Sequence, residues 1–231
     1  MHGIGINRRT LLAAMGTAAL ATPSLGAETV DLALVLALDC SLSINEFDYR
    51  IQLRGTGQAI IDSGLVQVIG QGHEHAIAVA AFFWSSADAQ QVIVPWRILR
   101  NGGDAYHLAD EIFAAERRIS SGATATGNAL QFAGNLLQSA PAAARRVIDV
   151  STNGHANMGI PVSPIRDRLV QSGITINGLA VTDSEPNLVA YMQREVTGGE
   201  GSFVITADDY NAYTLAIRRK LFREIAGLKM A

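Results

Sequence analysis

The sequence predicts an α/β fold: a doubly wound, mostly parallel six-stranded sheet with helices on both faces and one antiparallel edge strand. Three observations lead there. Hydrophobic residues make up 48% of the 231-residue chain and charged residues only 17%, below the roughly 25% of ordinary soluble domains, so much of the chain must be buried. Short aliphatic runs alternate with segments whose apolar residues fall at helical spacing, the pattern of strand–helix–strand units. The first of these runs is almost unbroken, which marks a strand covered on both faces.

Residues 31–38 form that first strand, ending at Asp39. Residues 44–63 follow as a helix, with Phe47, Ile51, Ala59 and Ile60 among its apolar positions. Residues 76–84 make a second buried strand. Residues 91–96 follow it after only a short polar loop, too short for a parallel crossover, so they are expected to be the antiparallel edge. Helices are predicted at 104–118 and 127–139, with Thr124 and Thr126 as candidate caps of the second. A strand at 147–151, a helix at 165–172, a strand at 175–181, a short helix at 188–195, a strand at 202–206 and a closing helix at 210–225 complete the order. The first strand is expected in the middle of the sheet. The length suits one domain plus a targeting segment, and no repeat, linker or low-complexity stretch divides it.

Residues 1–27 read as that targeting segment. Asn7-Arg8-Arg9-Thr10-Leu11-Leu12 precede an alanine-rich apolar run to Ala21, then Pro23 and small residues to Ala27, the layout of an export signal. The paired arginines resemble a bacterial twin-arginine signal, which is an address and not an anchor. The apolar run is well short of the roughly 20 residues that span a bilayer. A domain of residues 28–231, periplasmic or secreted and without a stable membrane anchor after signal cleavage, is therefore expected.

The net charge of −3 and the lack of a basic patch argue against nucleic acid as a partner, since such binding needs clustered Lys and Arg. Cys40 is the only cysteine, so disulfide scaffolds and thiolate zinc sites are excluded and any metal must be held by oxygen or histidine. There is no Gly-x-Ser-x-Gly elbow, no phosphate-cradling Gly-x-x-x-x-Gly-Lys and no dinucleotide Gly-x-Gly-x-x-Gly after the first strand.

Ligands of open α/β sheets collect beyond the carboxyl ends of the strands, and three polar loops are predicted there. Asp39-Cys40-Ser41-Leu42-Ser43 follows the first strand, with oxygen-bearing side chains on alternate positions. Gly122-Ala123-Thr124-Ala125-Thr126-Gly127 precedes the helix at 127–139, and Ser151-Thr152-Asn153-Gly154 follows the fourth strand. Together, in this order, they resemble the metal-ion-dependent adhesion site of von Willebrand factor A domains. The wider chain is similar to an exported bacterial family of A-type domains with no assigned function, through Phe83-Trp84-Ser85, Arg146-Val147-Ile148-Asp149-Val150-Ser151, Ile176-Asn177-Gly178-Leu179 and Arg218-Arg219-Lys220-Leu221.

The resemblance implies a von Willebrand factor A-like fold and a divalent cation held by Asp39, directly or through water, and by the hydroxyls of Ser41, Ser43 and Thr124. Hard oxygen ligands suit Mg²⁺ or Mn²⁺, with Ca²⁺ as the alternative. A carboxylate from a protein or peptide partner would fill an open position. The family pattern places aspartate where this chain has Asn153, which removes one negative charge and implies weaker metal retention; Asn153 is kept in the site as a carbonyl donor or a holder of water.

Other readings of the same residues stand beside this one. Ser41, Ser43 and Thr124 are also good helix caps. An aspartate after a first strand also opens several phosphatase sites, so a metal-dependent hydrolase using Asp39 is the enzymatic rival, and a structural domain with a degenerate metal site is a third reading. Asp149 is expected to make a structural hydrogen bond or salt bridge. His73-Glu74-His75 precedes the second strand, at the opposite end of the sheet, and reads as a solvated turn. His107 is isolated, His155 follows Asn153 closely, Cys40 is expected in the core, and Trp84 and Trp96 are expected to pack. Changing Arg8 and Arg9 together to Lys is expected to block export, followed by cell fractionation; unchanged export would point to another route.

Overall fold

The computed structural model describes residues 28–119 and 122–227; the expected signal segment, 1–27, lies outside them. Six strands, β1 Thr29–Asp39, β2 Ile77–Trp84, β3 Gln90–Leu99, β4 Ala142–Thr152, β5 Ile174–Val181 and β6 Val204–Ala207, form one sheet in the order β3-β2-β1-β4-β5-β6. All neighbours are parallel except β2 and β3. The helices are α1 Glu46–Ile60, α2 Ser63–Ile69, α3 Gly102–Phe113, α4 Thr126–Leu137, α5 Val162–Gln171, α6 Leu188–Tyr191, which runs into a π-helical turn at Met192–Val196, and α7 Tyr210–Ala226. This is the predicted doubly wound fold, with β1 in the interior of the sheet.

The unbroken run in β1 divides between two cores. Leu32, Leu34, Leu36 and Leu38 face the helices α1, α2, α3 and α7. Ala33, Val35 and Ala37 face α4, α5 and α6. Side chains of a strand alternate between faces, so a stretch covered on both is apolar at successive positions, as β1 is from Leu32 to Leu38.

Where boundaries differ from the sequence prediction, the cause is local. The helix predicted at 44–63 ends at Ile60, and an unpredicted second helix, α2, follows it, started by Asp62, which accepts the amides of Gly64 and Leu65. The helix predicted to run to 118 stops at Phe113. β4 begins at Ala142, in a stretch of alternating exposure that carries no continuous apolar run. β3 is indeed the antiparallel edge and runs on to Leu99; its pairing with β2 is irregular between Val94 and Arg97, where Pro95, which has no amide to donate, is tolerated on an edge. Trp84 is fully buried, and the Trp96 indole donates to the carbonyl of Leu136 (3.2 Å), so both pack as expected.

Three ionisable groups are sealed under α7: Lys220, Asp149 and Glu224, all buried. The Lys220 ammonium lies 2.6 Å from Asp149 Oδ1 and 2.7 Å from Glu224 Oε1, and Asn177 donates to Glu224 Oε1 (2.8 Å). The contact to Asp149 is an ion pair with poor hydrogen-bond alignment. One cation between two carboxylates leaves an excess negative charge out of water. Burial and the neighbouring Glu224 push Asp149 up from 3.8 to about 7, against the pull of Lys220. Because the folded value lies above the unfolded one, the contribution of Asp149 to stability is complete below about pH 4 and is lost as pH rises towards 7. Removing one partner of a buried pair typically costs about 3–5 kcal/mol. Lys220→Met is expected to lose that much in urea unfolding at pH 8, and less at pH 5, where a proton replaces the missing cation.

Candidate metal centre

Between β1 and β4 the strand order reverses, which opens a crevice at the carboxyl ends of those two strands. Asp39 ends β1 and Thr152-Asn153 ends β4. Pairing of Leu38 with Ser151 puts Asp39 and Thr152 side by side one step further on. Thr124 arrives from the segment before α4, which is anchored to the end of β2 by Ala125 N–H donating to Ser85 O (2.8 Å).

Asp39 has no exposed surface. Its Oδ1 accepts the Ser41 amide (2.8 Å) and its Oδ2 accepts the Thr152 hydroxyl (2.6 Å). Burial raises its pKa, and these hydrogen bonds and the more distant Arg117 guanidinium lower it. The Ser41 and Ser43 hydroxyls lie 3.2 Å apart, and Ser43 donates to Asn153 Oδ1 (2.7 Å). Asp39, Ser41, Ser43 and Asn153 are therefore one connected cluster. Thr124 is joined to the same loop through its backbone: its amide donates to Asn157 Oδ1 (2.8 Å) and its carbonyl accepts the Asn157 amide (3.0 Å). A Cβ on Gly154 would stand 3.8 Å from the Thr124 hydroxyl, so that oxygen borders the end of β4. Gly127 lets the two loops meet, since a Cβ there would come within 2.1 Å of the Ile160 carbonyl.

Capping does not account for these hydroxyls. The N-cap of α1 is Asn45, whose side chain accepts the amides of Phe47 and Asp48. The N-cap of α4 is Ala125, without a side-chain bond, so neither Thr124 nor Thr126 caps it. The side chains of Ser41, Ser43 and Thr124 thus have no helix end to satisfy.

The donor set fits a hard divalent cation. Neighbouring oxygens around an octahedral Mg²⁺, with bonds of 2.0–2.1 Å, are about 3.0 Å apart, and the 3.2 Å and 2.7 Å separations within the cluster bracket that spacing. Among the described residues no group of three or more His, Cys, Asp or Glu side chains is placed to hold a metal, so a centre here depends on hydroxyl and amide oxygens. His73, Glu74 and His75 lie before β2, away from this rim, with His75 bonded to the Gly70 carbonyl (2.8 Å). His155 stacks on Tyr191, with ring centroids 4.3 Å apart. Cys40 is buried, its thiol donating to Ile119 O (3.1 Å).

Two residues of this neighbourhood escaped the sequence reading. Thr152 holds Asp39 Oδ2, and only its place beside Asp39 in the sheet reveals it. Arg117 donates to the carbonyl of Ile44 (2.7 Å), approaches those of Cys40 (3.4 Å) and Ser41 (3.5 Å), and stacks over Tyr49. It pins the loop after β1 from a segment more than 70 residues away, and no local motif marks it.

A model of the DUF1194 family, described as a protein of unknown function, matches residues 29–229. The chain belongs to that family. No curated protein matches it significantly. Among solved structures, this DUF1194 chain is similar to proximal thread matrix protein 1 of the mussel byssus, in a form with a zinc-occupied MIDAS motif (TM-score 0.61, 16% identity, 86% of this chain and 48% of that one). It is also similar to a von Willebrand factor type A protein from Catenulispora acidiphila (0.59, 16%, 85% and 43%). A third likeness is to the vWF domain of the type V pili tip protein Mfa5 from Porphyromonas gingivalis (0.60, 11%, 88% and 98%). The DUF1194 chain thus has the von Willebrand factor A fold and spans about half the length of the mussel protein. Thr152→Val would leave a buried carboxylate oxygen of Asp39 without its donor, a loss of about 1–3 kcal/mol. Equilibrium unfolding tests this, and an unchanged midpoint would show that the bond contributes nothing.

Proposed function

We propose that the chain is an exported A-type domain that binds a protein or peptide partner through a divalent cation held by Asp39, Ser41, Ser43, Thr124 and Asn153. The observation that carries this reading is the condition of Asp39. It is a fully buried carboxylate with no ion pair among the described residues, held by neutral donors and ringed by hydroxyl and amide oxygens. Arg117, whose charge does reach it, directs its donors at backbone carbonyls. A buried charge without a counter-charge is costly, and a cation in the cluster would offset that cost.

Mg²⁺ and Mn²⁺ suit these ligands, with Ca²⁺ as the alternative; the zinc at the motif of the mussel structure supports a divalent ion at this place. A bound ion supplies an open position for a carboxylate. The chain's own residues prepare it. Ser43 gives its proton to Asn153 and accepts from Ser41, which leaves one hydroxyl lone pair to face a cation. Thr152 and the Ser41 amide hold Asp39 in one orientation. Export rests on the leader at 1–27; among the described residues no helix is long and apolar enough to cross a membrane.

The rival reading, a phosphatase with Asp39 as nucleophile, is disfavoured because such a site needs a second acid to protonate the leaving group, and the side chains clustered around Asp39 are the neutral Ser41, Ser43, Thr152 and Asn153. Turnover of phosphate esters with Mg²⁺, lost on Asp39→Asn, would reverse that judgement. A pull-down from periplasmic extract with and without EDTA tests for the metal-dependent partner.

Asn153 gives a quantitative test. With Asp39 as the only formal anion of the site, a bound divalent ion keeps a net positive charge, is held weakly and attracts an incoming carboxylate. Unit charges about 4 Å apart interact by roughly 4 kcal/mol at an effective dielectric near 20, so metal and acidic partner should each raise the other's affinity. Asn153→Asp is expected to tighten Mn²⁺ binding tenfold or more in calorimetry without partner and to weaken that coupling. Equal or weaker binding would mean that Asn153 does not face the ion.

A further inference from the structure

Large apolar side chains exposed to solvent are few among the described residues, and three of the seven lie in the loops that carry the proposed metal site or in the helix turn that follows one of them. Leu42, between Ser41 and Ser43, is 72% exposed, and its amide is pinned to the Gly122 carbonyl (3.0 Å). Phe47, in the first turn of α1, is 65% exposed, and its amide is capped by Asn45 (2.8 Å). Met158 is 49% exposed and follows Asn157, which holds Thr124 through two hydrogen bonds. The backbone beside each side chain is tied down, so their exposure is built into the loops. Leu42 lies between two proposed ligands, Phe47 follows Ser43 by four residues and Met158 follows Asn153 by five, so each borders the site, where exposed apolar groups rimmed by polar residues suit an interaction surface.

The charge around the site narrows what can dock. Asp48, in the first turn of α1, feels the charges of Asp183, just after β5, and of Asp209, the N-cap of α7. A partner rich in acids would meet repulsion there, whereas a single acid directed at the cation would not. Successive residues of an extended chain are about 3.3–3.6 Å apart, so a segment whose acid reaches the ion carries its immediate neighbours over the surrounding loops.

We infer that Leu42, Phe47 and Met158 form an apolar rim that selects a partner segment in which one Asp or Glu is flanked, within two positions, by large apolar residues. This inference rests on the metal-dependent reading above. The flanking residues supply selectivity, because a carboxylate alone is common to every acidic surface, and burial of apolar groups against the rim adds affinity that a bare acid lacks.

The test is selection of a random linear peptide library, displayed on phage, against the immobilised chain in Mn²⁺, with elution by EDTA. The eluted clones are expected to share one acid with Leu, Ile, Val, Phe or Met within two positions. The double variant Leu42→Ser, Phe47→Ser, both positions exposed and so tolerant of a polar side chain, is expected to retain the acid and lose the apolar enrichment. Clones with a single acid among random or polar neighbours, or with runs of acids, would overturn the apolar rim while leaving the metal-dependent site standing. The same enrichment in the double variant would also overturn it. An absence of EDTA-eluted clones would overturn the site and the rim together.

Discussion

Asp39 imposes the constraint from which the rest of the site follows. It ends the strand that the two cores enclose, so its carboxylate cannot reach bulk water, and the molecule must stabilise it locally. The surroundings do this with neutral groups: the Ser41 amide and the Thr152 hydroxyl take one oxygen each. The loop after β1 must then turn so that its amide points back at Oδ1, and that turn directs Ser41 and Ser43 together towards Asn153. Arg117, Ile119 and Gly122 brace the outer side of the same loop. A single buried charge thus ties the loop after β1 to the end of β4.

A second buried carboxylate in the same sheet shows the alternative. Asp149, which pairs with Leu36 of β1 in the sheet, has Lys220 beside it and Glu224 nearby. There the chain supplies its own cation, and the cluster serves to fasten α7 to the sheet. Around Asp39 the chain supplies neutral oxygens and no cation in contact, the arrangement that the proposed metal would complete. The contrast between the two carboxylates supports that proposal more directly than either constellation alone.

Much of the fold was legible because burial on both faces writes itself into composition. β2 is apolar throughout, β1 from Leu32 to Leu38 and β5 at most positions, and their order with the helices sets the topology. The first residues of β4 were not legible, since Ala142 to Arg146 alternate between exposed and half-buried positions. Nor was α2, which Asp62 separates from α1 with a cap of its own. In the site, Asp39, Ser41, Ser43, Thr124 and Asn153 could be singled out because each lies in a short motif after a strand or before a helix. Thr152 and Arg117 could not. The first acts through its neighbour across the sheet, and the second through contacts that exist only once residues 40–44 and 117 have been brought together.

The most direct test of the account is the position of a bound ion, seen by anomalous scattering from a crystal of the protein grown or soaked with Mn²⁺. The account predicts one strong peak among the Ser41, Ser43 and Thr124 hydroxyls, beside Asp39 and Asn153, and its loss in Asp39→Asn. A peak elsewhere on the chain, or none at these oxygens with Mn²⁺ in large excess, would contradict it.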